Sequence, residues 1–179
     1  MTAFWVDLSL KEHKTGEKLY THSMSVSRVR EFLRPFGLGD SIIEFPTSSA
    51  TVKEAAEDLG TEEGRIAKTM SYITNEGPIV IVTAGDTKIS NRKYKDCFHQ
   101  KAKMIKGEDV EALTGHPVGG VCPFALPEGV RVYLDVSLNR FPTVFPACGS
   151  INSAIELTPE RMAEITKPTA WVDVTEIRQ

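Results

Sequence analysis

Residues 115–126 read GHPVGGVCPFAL, three glycines and two prolines in twelve positions, and Pro127 follows at once. Proline removes a backbone donor and fixes φ, and glycine loses more conformational freedom on folding than any other residue, so neither a helix nor an interior strand runs through this stretch. Any fold open to the chain has to carry it as an ordered loop. Gly119 and Gly120 permit positive φ and close approach of a ligand to the main chain, while Pro117 and Pro123 restrict the remainder. A row of N–H groups can thus be held facing one point, which suits phosphate oxygens or a polarised carbonyl. A plain structural turn has the same composition. The loop is not a Walker A sequence, because no Gly-Lys-Ser/Thr follows, and the dinucleotide-binding spacing is absent.

The chain has 179 residues, 41% of them hydrophobic and 25% charged, which is ordinary for one globular domain with a single core. Residues 1–24 show little periodicity and read as an N-terminal extension ahead of a single domain over residues 25–179. The longest apolar run, residues 78–84, is far too short to span a bilayer, so no membrane association is expected. No basic start followed by an apolar stretch and a cleavage site opens the chain, which predicts a cytoplasmic protein. Cys97, Cys122 and Cys148 are odd in number and widely spaced, which fits reduced thiols better than a disulfide framework. A net charge of −3 excludes a protein coated in basic residues for nucleic-acid binding. The average hides one asymmetry: Lys88, Arg92, Lys93, Lys95, Lys101, Lys103 and Lys106 stand against the single acid Asp96. A basic patch on an acidic body and a merely solvated helix face are both consistent with that run.

Val26, Val29 and Leu33 have helical spacing, ended by Pro35 and Gly37. Residues 42–45 predict a short strand. Thr51 and Glu54 form a capping box for a helix whose apolar stripe is Val52, Ala55, Ala56 and Leu59, stopped at Gly60. Strands are expected over 67–73, 78–84, 103–105, 130–135, 143–147 and 154–157, with helices near 92–98 and 108–113. Thr158-Pro159 opens a last helix, and 171–174 reads as an edge strand. Several strands follow one another without helices between them, so the pattern is mixed α/β and not a doubly wound parallel sheet.

Alternation along residues 67–73 places Lys68 on one face with Met70 and Tyr72, and Thr69 and Ser71 on the other. Lys68 either snorkels to water or offers a fixed cation to a phosphate, a carboxylate or a developing oxyanion. His116 and Cys122 admit a thiol-nucleophile reading, against the commoner fate of a buried, inert cysteine. His116, Cys122 and Cys148 lack zinc-site spacing, so no metal is expected. Asp135 ends an apolar strand and either caps the following turn or presents a carboxylate to an ammonium group.

Residues 51–60 (TVKEAAEDLG), 65–69 (RIAKT), 114–124 (TGHPVGGVCPF), 132–135 (VYLD), Gly149-Ser150 and 155–159 (IELTP) together resemble the YbaK/ProX family of free-standing and prolyl-tRNA-synthetase-associated editing domains. The resemblance runs over roughly residues 26 to 175 in order. It implies surrounding helices on a curved, barrel-like mixed sheet, and hydrolysis of the ester that joins a wrongly attached amino acid to tRNA. It implies that Lys68 is the functional side chain. It implies too that the loop with Gly119, Gly120 and Val121 positions the scissile carbonyl. His116, Cys122, Pro123, Asp135, Met70 and Ser150 are the substrate-facing candidates on the same grounds, and Ala125 stands where the family often has glycine. An activated ester needs orientation of its carbonyl and stabilisation of charge more than a strong protein nucleophile, so water or the vicinal ribose hydroxyl is the expected attacking group. Mischarged aminoacyl-tRNA, usually of the proline type, and an aminoacyl-tRNA synthetase are the implied partners, with no cofactor. Lys88, Arg92, Lys93 and Lys95 are the candidate contacts to the tRNA backbone. A monomer or weak homodimer is expected. A binding module that keeps the fold without the chemistry is the alternative.

Overall fold

Apolar alternation is strongest in the hairpin of β2 (Ile66–Thr74) and β3 (Gly77–Ala84), and this hairpin is the centre of the structure. The computed structural model describes residues 24–46 and 51–178; the extension assigned to residues 1–24 lies, apart from Met24, outside them. β5 (Arg131–Asp135) adds to β3 in parallel, and β8 (Ala170–Val172) adds to β5 in parallel. On the other side β6 (Phe145–Pro146) adds to β2 in parallel, which gives a five-stranded mixed sheet in the order β6-β2-β3-β5-β8. The sheet curls into half a barrel. Its helices are α1 over residues 24–33, α2 (Val52–Leu59), α3 (Asn91–Phe98), α4 (Gly107–Thr114) and α5 (Pro159–Thr166).

Successive β3 side chains go to opposite faces, and each face has its own core. Val80 and Val82, with Leu134, pack under Val29 and Leu33 of α1, Met162 and Ile165 of α5, and Cys122 and Phe124 of the glycine-rich loop. Ile79 and Ile81 face the other way, onto Tyr72, Tyr133, Val172 and Tyr94 of α3. Burying each of these side chains is worth about 1.5–3 kcal/mol relative to leaving it in water. Phe98 joins the second core edge-on to Tyr133, ring centroids 5.1 Å apart.

The helix ends form as their residues predict. Thr51 Oγ1 accepts from the Glu54 N–H at 3.2 Å and Glu54 Oε2 accepts from the Thr51 N–H at 3.0 Å, while Gly60 closes α2 at φ 62°. Thr158 caps α5 by accepting from the Arg161 N–H, with Pro159 in the first turn.

Several expected strands are shorter than their patterns. Residues 103–105 make only a bridge, Met104 to Tyr72, and 143–147 and 154–157 reduce to β6, to β7 (Ser153–Ala154) and to two further bridges. β7 pairs with the short β1 (Ile43–Glu44). A small antiparallel pair, β4 (Thr87–Ile89) with β9 (Thr175–Ile177), is not foreshadowed in the sequence, because three residues carry too little alternation to read.

Asp135 holds these outer parts together. Its carboxylate is fully buried and accepts from the Ser137 N–H at 3.0 Å, the Val174 N–H at 2.9 Å and the Thr175 hydroxyl at 2.8 Å. It therefore caps the turn after β5 and ties that turn to the link between β8 and β9, and faces no cavity as a ligand carboxylate. Asp135→Ala leaves three donors without an acceptor and is expected to lower unfolding stability by about 3 kcal/mol in urea titration. A loss under about 1 kcal/mol would show the clamp to be dispensable.

Candidate functional site

A cavity of about 420 Å³ opens beside β2, within the usual size of small-ligand sites. Lys68, Thr69, Met70 and Ser71 of β2 form one wall. Val118, Gly119 and Val121 of the loop form another, with Ser150, Ile151 and Ser153 beside them. Val52, Ala55 and Leu59 of the α2 stripe line the cavity while also packing, with Ala56, on the core formed by Ile66, Phe145 and Ala154. Of the residues expected at the site, Lys68, Gly119, Val121, Met70 and Ser150 come together here. Gly120, His116, Cys122, Pro123 and Asp135 do not reach the lining. Thr69 and Ile151 were missed: Thr69 reads as the face opposite Lys68, and nothing in the local sequence marks Ile151.

The glycines of the loop answer to close approaches. At Gly119, φ is 88° and a Cβ would lie 2.3 Å from Ile151 Cγ2. At Gly120 a Cβ would lie 2.5 Å from the main-chain oxygen of Gly149, where no side chain can move aside. Gly120 also donates its N–H to the Pro117 carbonyl at 2.9 Å, so that amide closes a turn and is not turned to a ligand. The expected row of amides at Gly119, Gly120 and Val121 thus loses its middle member. Ala125 adopts φ 50°, a left-handed conformation that costs a residue with a Cβ about 1–2 kcal/mol and explains why glycine is the easier choice at such a position.

His116 locks this loop from beneath. It is fully buried; its Nε2 lies 2.7 Å from the Phe124 carbonyl oxygen, which can only accept, so Nε2 carries the proton. Nδ1, 2.7 Å from Ser25 Oγ, is then the acceptor of the Ser25 hydroxyl on α1. Burial lowers the His116 pKa, with the Phe124 bond opposing and the Arg28 charge adding to the fall. Cys122 Sγ sits 3.4 Å from His116 Nε2, fully buried, and burial pushes its thiol up to about 12. A thiol held that high supplies no thiolate at neutral pH, so the thiol-nucleophile reading fails at Cys122.

Lys68 Nζ donates to the Thr87 carbonyl. Burial, assisted by the Arg178 charge and opposed by Asp86, lowers its pKa to about 8. The ammonium is therefore still the major form at neutral pH. On the basic run, Lys88 pairs with Glu176 at 3.3 Å and Lys93 with Asp173 at 2.7 Å, while Arg92 and Lys95 lie exposed on α3.

A sequence model described as the aminoacyl-tRNA editing domain matches residues 47–165. YwhH of Bacillus subtilis strain 168, itself uncharacterized, is 50% identical over 153 residues, covering 84% of this chain and 97% of YwhH. An Enterococcus faecalis protein provisionally named Cys-tRNA(Pro)/Cys-tRNA(Cys) deacylase EbsC is 31% identical over 118 residues, covering 65% of this chain and 72% of EbsC. The crystal structure of a protein provisionally described as a trans-editing enzyme for prolyl-tRNA synthetase superposes with a TM-score of 0.77 at 29% identity, over 85% of this chain and 97% of that one.

The lowered His116 pKa fixes a pH dependence. The unfolded chain binds a proton near pH 6.5 that the folded chain refuses until lower pH, so stability is full above about pH 6.5 and is lost as pH falls below it. The slope attributable to this residue is at most about 1.4 kcal/mol per pH unit. Urea titrations between pH 7 and 5 are expected to show that slope in the wild type and a shallower one in His116→Gln; equal slopes would remove His116 as the acid-sensitive group.

Proposed function

The chain belongs to the aminoacyl-tRNA editing domain family, and from that premise we propose that it is a trans-editing deacylase, hydrolysing the ester between a small, wrongly attached amino acid and tRNA(Pro). The observation that carries this reading is the cavity itself. An apolar chamber meets the glycine-rich loop and Ser150 in one place, with Lys68 in the adjoining wall and its ammonium on the Thr87 carbonyl, an arrangement that can grip a small acyl group and leave its carbonyl beside main-chain donors. The names of EbsC and of the superposed structure support the proline-type carrier.

In this mechanism the amides of Gly119 and Val121 face the carbonyl oxygen as charge develops on it. The attacking group is water, which the vicinal ribose hydroxyl is placed to orient. The new C–O bond forms at the acyl carbon, the bond to the ribose oxygen breaks, that oxygen takes a proton, and the amino acid leaves as its carboxylate. Lys68 supplies positive charge toward the substrate's oxygens and terminal phosphate. One methylene in an apolar chamber discriminates by only about 1–3 kcal/mol, so the preferred amino acid is set by fine fit among alanine, cysteine, serine and threonine.

One observation favours a second reading. The Lys68 ammonium already has an acceptor in the Thr87 carbonyl, as it would in a binding module that holds RNA or a synthetase without hydrolysis. Label release from tRNA(Pro) charged with each of the four amino acids decides between them. Rapid release of one or two, reduced at least 100-fold in a folded Lys68→Ala variant, is expected; saturable binding without release would establish the module.

The lowered Lys68 pKa adds a sharper test. Lys68 is charged below about pH 8, so the enzymatic excess over spontaneous hydrolysis should decline as pH rises through 8, and Lys68→Arg, if active, should not decline. A profile flat to pH 9.5 would remove the ammonium from the mechanism.

The tRNA backbone contact is assigned to Arg92 and Lys95, because Lys88 and Lys93 are tied to acids of β9 and the preceding link. Reversing both charges is expected to lower the slope of log Kd against log salt by about 1–2. An unchanged slope would exclude this face of α3.

A further inference from the structure

The outer edge of β2 is interrupted where it borders the cavity. β6 pairs with β2 only at Ile66 and Ala67. Further along, the Ile105 N–H donates to the Ser71 carbonyl at 3.1 Å and the Ile73 N–H to the Lys103 carbonyl at 2.9 Å. Odd-numbered residues of β2 therefore turn their main-chain groups outward, and by the two-residue alternation of a strand Thr69 does so too. Among the described residues, no strand reaches it. The 103–105 segment leaves the edge at Lys106 to start α4, and the chain after β6 turns to bridge Ala147 with Ala154. What lies over the gap is the cavity, of which Thr69 is a lining residue.

A second observation falls on the same residue. Among the described residues, three buried side-chain polar atoms lack a hydrogen-bond partner: Thr61 Oγ1, Thr69 Oγ1 and the Tyr94 hydroxyl. Only Thr69 of these lines the cavity. A buried hydroxyl without a partner costs stability, and valine has nearly the same shape, so an unused hydroxyl here is a standing cost with a simple remedy. A hydroxyl that a ligand completes is the kind of exception that persists.

We propose that Thr69 is the binding residue for the amino-acid part of the ligand, which docks as a single missing strand residue in the gap between β6 and the 103–105 segment. An amino acid joined through its carboxyl carries an ammonium and a carbonyl at the spacing of one peptide residue. The ammonium donates to the Thr69 carbonyl and, after rotation about χ1, to Thr69 Oγ1; the acyl carbonyl accepts from the Thr69 N–H. The grip reads the α-amino group and leaves the side chain to the apolar walls. It thus selects aminoacyl groups over N-blocked and α-hydroxy acyl groups. The identity of the ligand rests on the deacylase reading above; the gap and the unpartnered hydroxyl do not.

The test uses three stable amides of 3′-amino-3′-deoxyadenosine, carrying L-alanyl, N-acetyl-L-alanyl and L-lactyl groups, with the full chain. Calorimetry should give at least tenfold weaker binding for the acetyl and lactyl compounds than for the alanyl one. The Thr69 amide should shift downfield and gain protection from hydrogen exchange when the alanyl compound binds. Thr69→Val should weaken the alanyl compound at least tenfold while raising the melting temperature, and Thr69→Ser should bind within about threefold of wild type. Equal binding of the three compounds, an unmoved Thr69 amide, undiminished binding by Thr69→Val, or no binding of any of them at millimolar concentration overturns the proposal. The two readings fail separately. Hydrolysis of charged tRNA without this discrimination defeats the Thr69 proposal alone, and discrimination without hydrolysis defeats the deacylase reading alone.

Discussion

Main chain meets main chain where the glycine-rich loop crosses residues 148–150, and the site depends on that contact. The Gly149 carbonyl occupies the volume a side chain at position 120 would need, and Gly149, at φ 95°, lies equally close to Ser25 of α1. Three segments far apart in sequence thus converge without a Cβ between them. Because the contact sets the height of the loop over the sheet, it places Gly119 and Val121 on one side of the cavity and Ser150 and Ile151 beside them. Phe124 and Cys122 in the core, and His116 bridging Ser25 and the Phe124 carbonyl, prevent the loop from lifting. A methyl group at position 120 would have to displace backbone, the kind of overpacking that costs about 1–3 kcal/mol and moves whatever it touches.

The sheet supplies the other wall, and its own geometry makes the opening. β2 is paired with β3 from Ala67 to Thr74, yet on its outer edge, among the described residues, it has partners only toward its two ends. A strand held so firmly on one side can leave main-chain groups exposed on the other without fraying. Lys68 stands at this point on the opposite face from Thr69. Asp86, whose carboxyl the Arg140 guanidinium holds below the usual carboxylate range, partly offsets what burial and Arg178 take from the Lys68 charge. The wall thereby combines a cation on one face with a polar edge between.

Much of this was legible in the residues, and what was not has a common cause. The capping box of α2, the Thr158-Pro159 start of α5 and the β2–β3 hairpin are local statements, made by side chains that act on backbone three or four residues away or by a strict alternation. The loop at 115–126 was legible as a loop because composition forbids anything else. Its partners were not, since the reason for Gly120 lies at Gly149 and the reason for His116 lies at Ser25. The stripe Val52, Ala55, Ala56 and Leu59 has the spacing of a core face and packs as one, and nothing in that spacing shows that three of its members also border a cavity. Asp135 shows the same limit: a strand-terminal carboxylate reads alike whether its donors come from the next turn and residues 174 and 175 or from a ligand.

The site is also shaped by what it withholds. Of the groups in the loop that ordinarily serve as nucleophile or general base, Cys122 is sealed in the core with its thiol pushed up to about 12, and both nitrogens of His116 are committed to Ser25 and Phe124. What remains among the described residues of the cavity wall is main chain, a lysine, apolar side chains, and the hydroxyl-bearing Thr51, Thr69, Ser71, Ser150 and Ser153. Such a set is poorly suited to breaking an unactivated bond such as an amide. It suits an activated ester, for which orientation alone can contribute about 7–11 kcal/mol of the barrier. On the proposed reading, a wall whose described residues offer no strong nucleophile is protective as well. A site that only positions its ligand discriminates by fit at every step, and a correctly charged tRNA whose side chain does not fit the apolar walls meets no group reactive enough to cleave it from an imperfect pose.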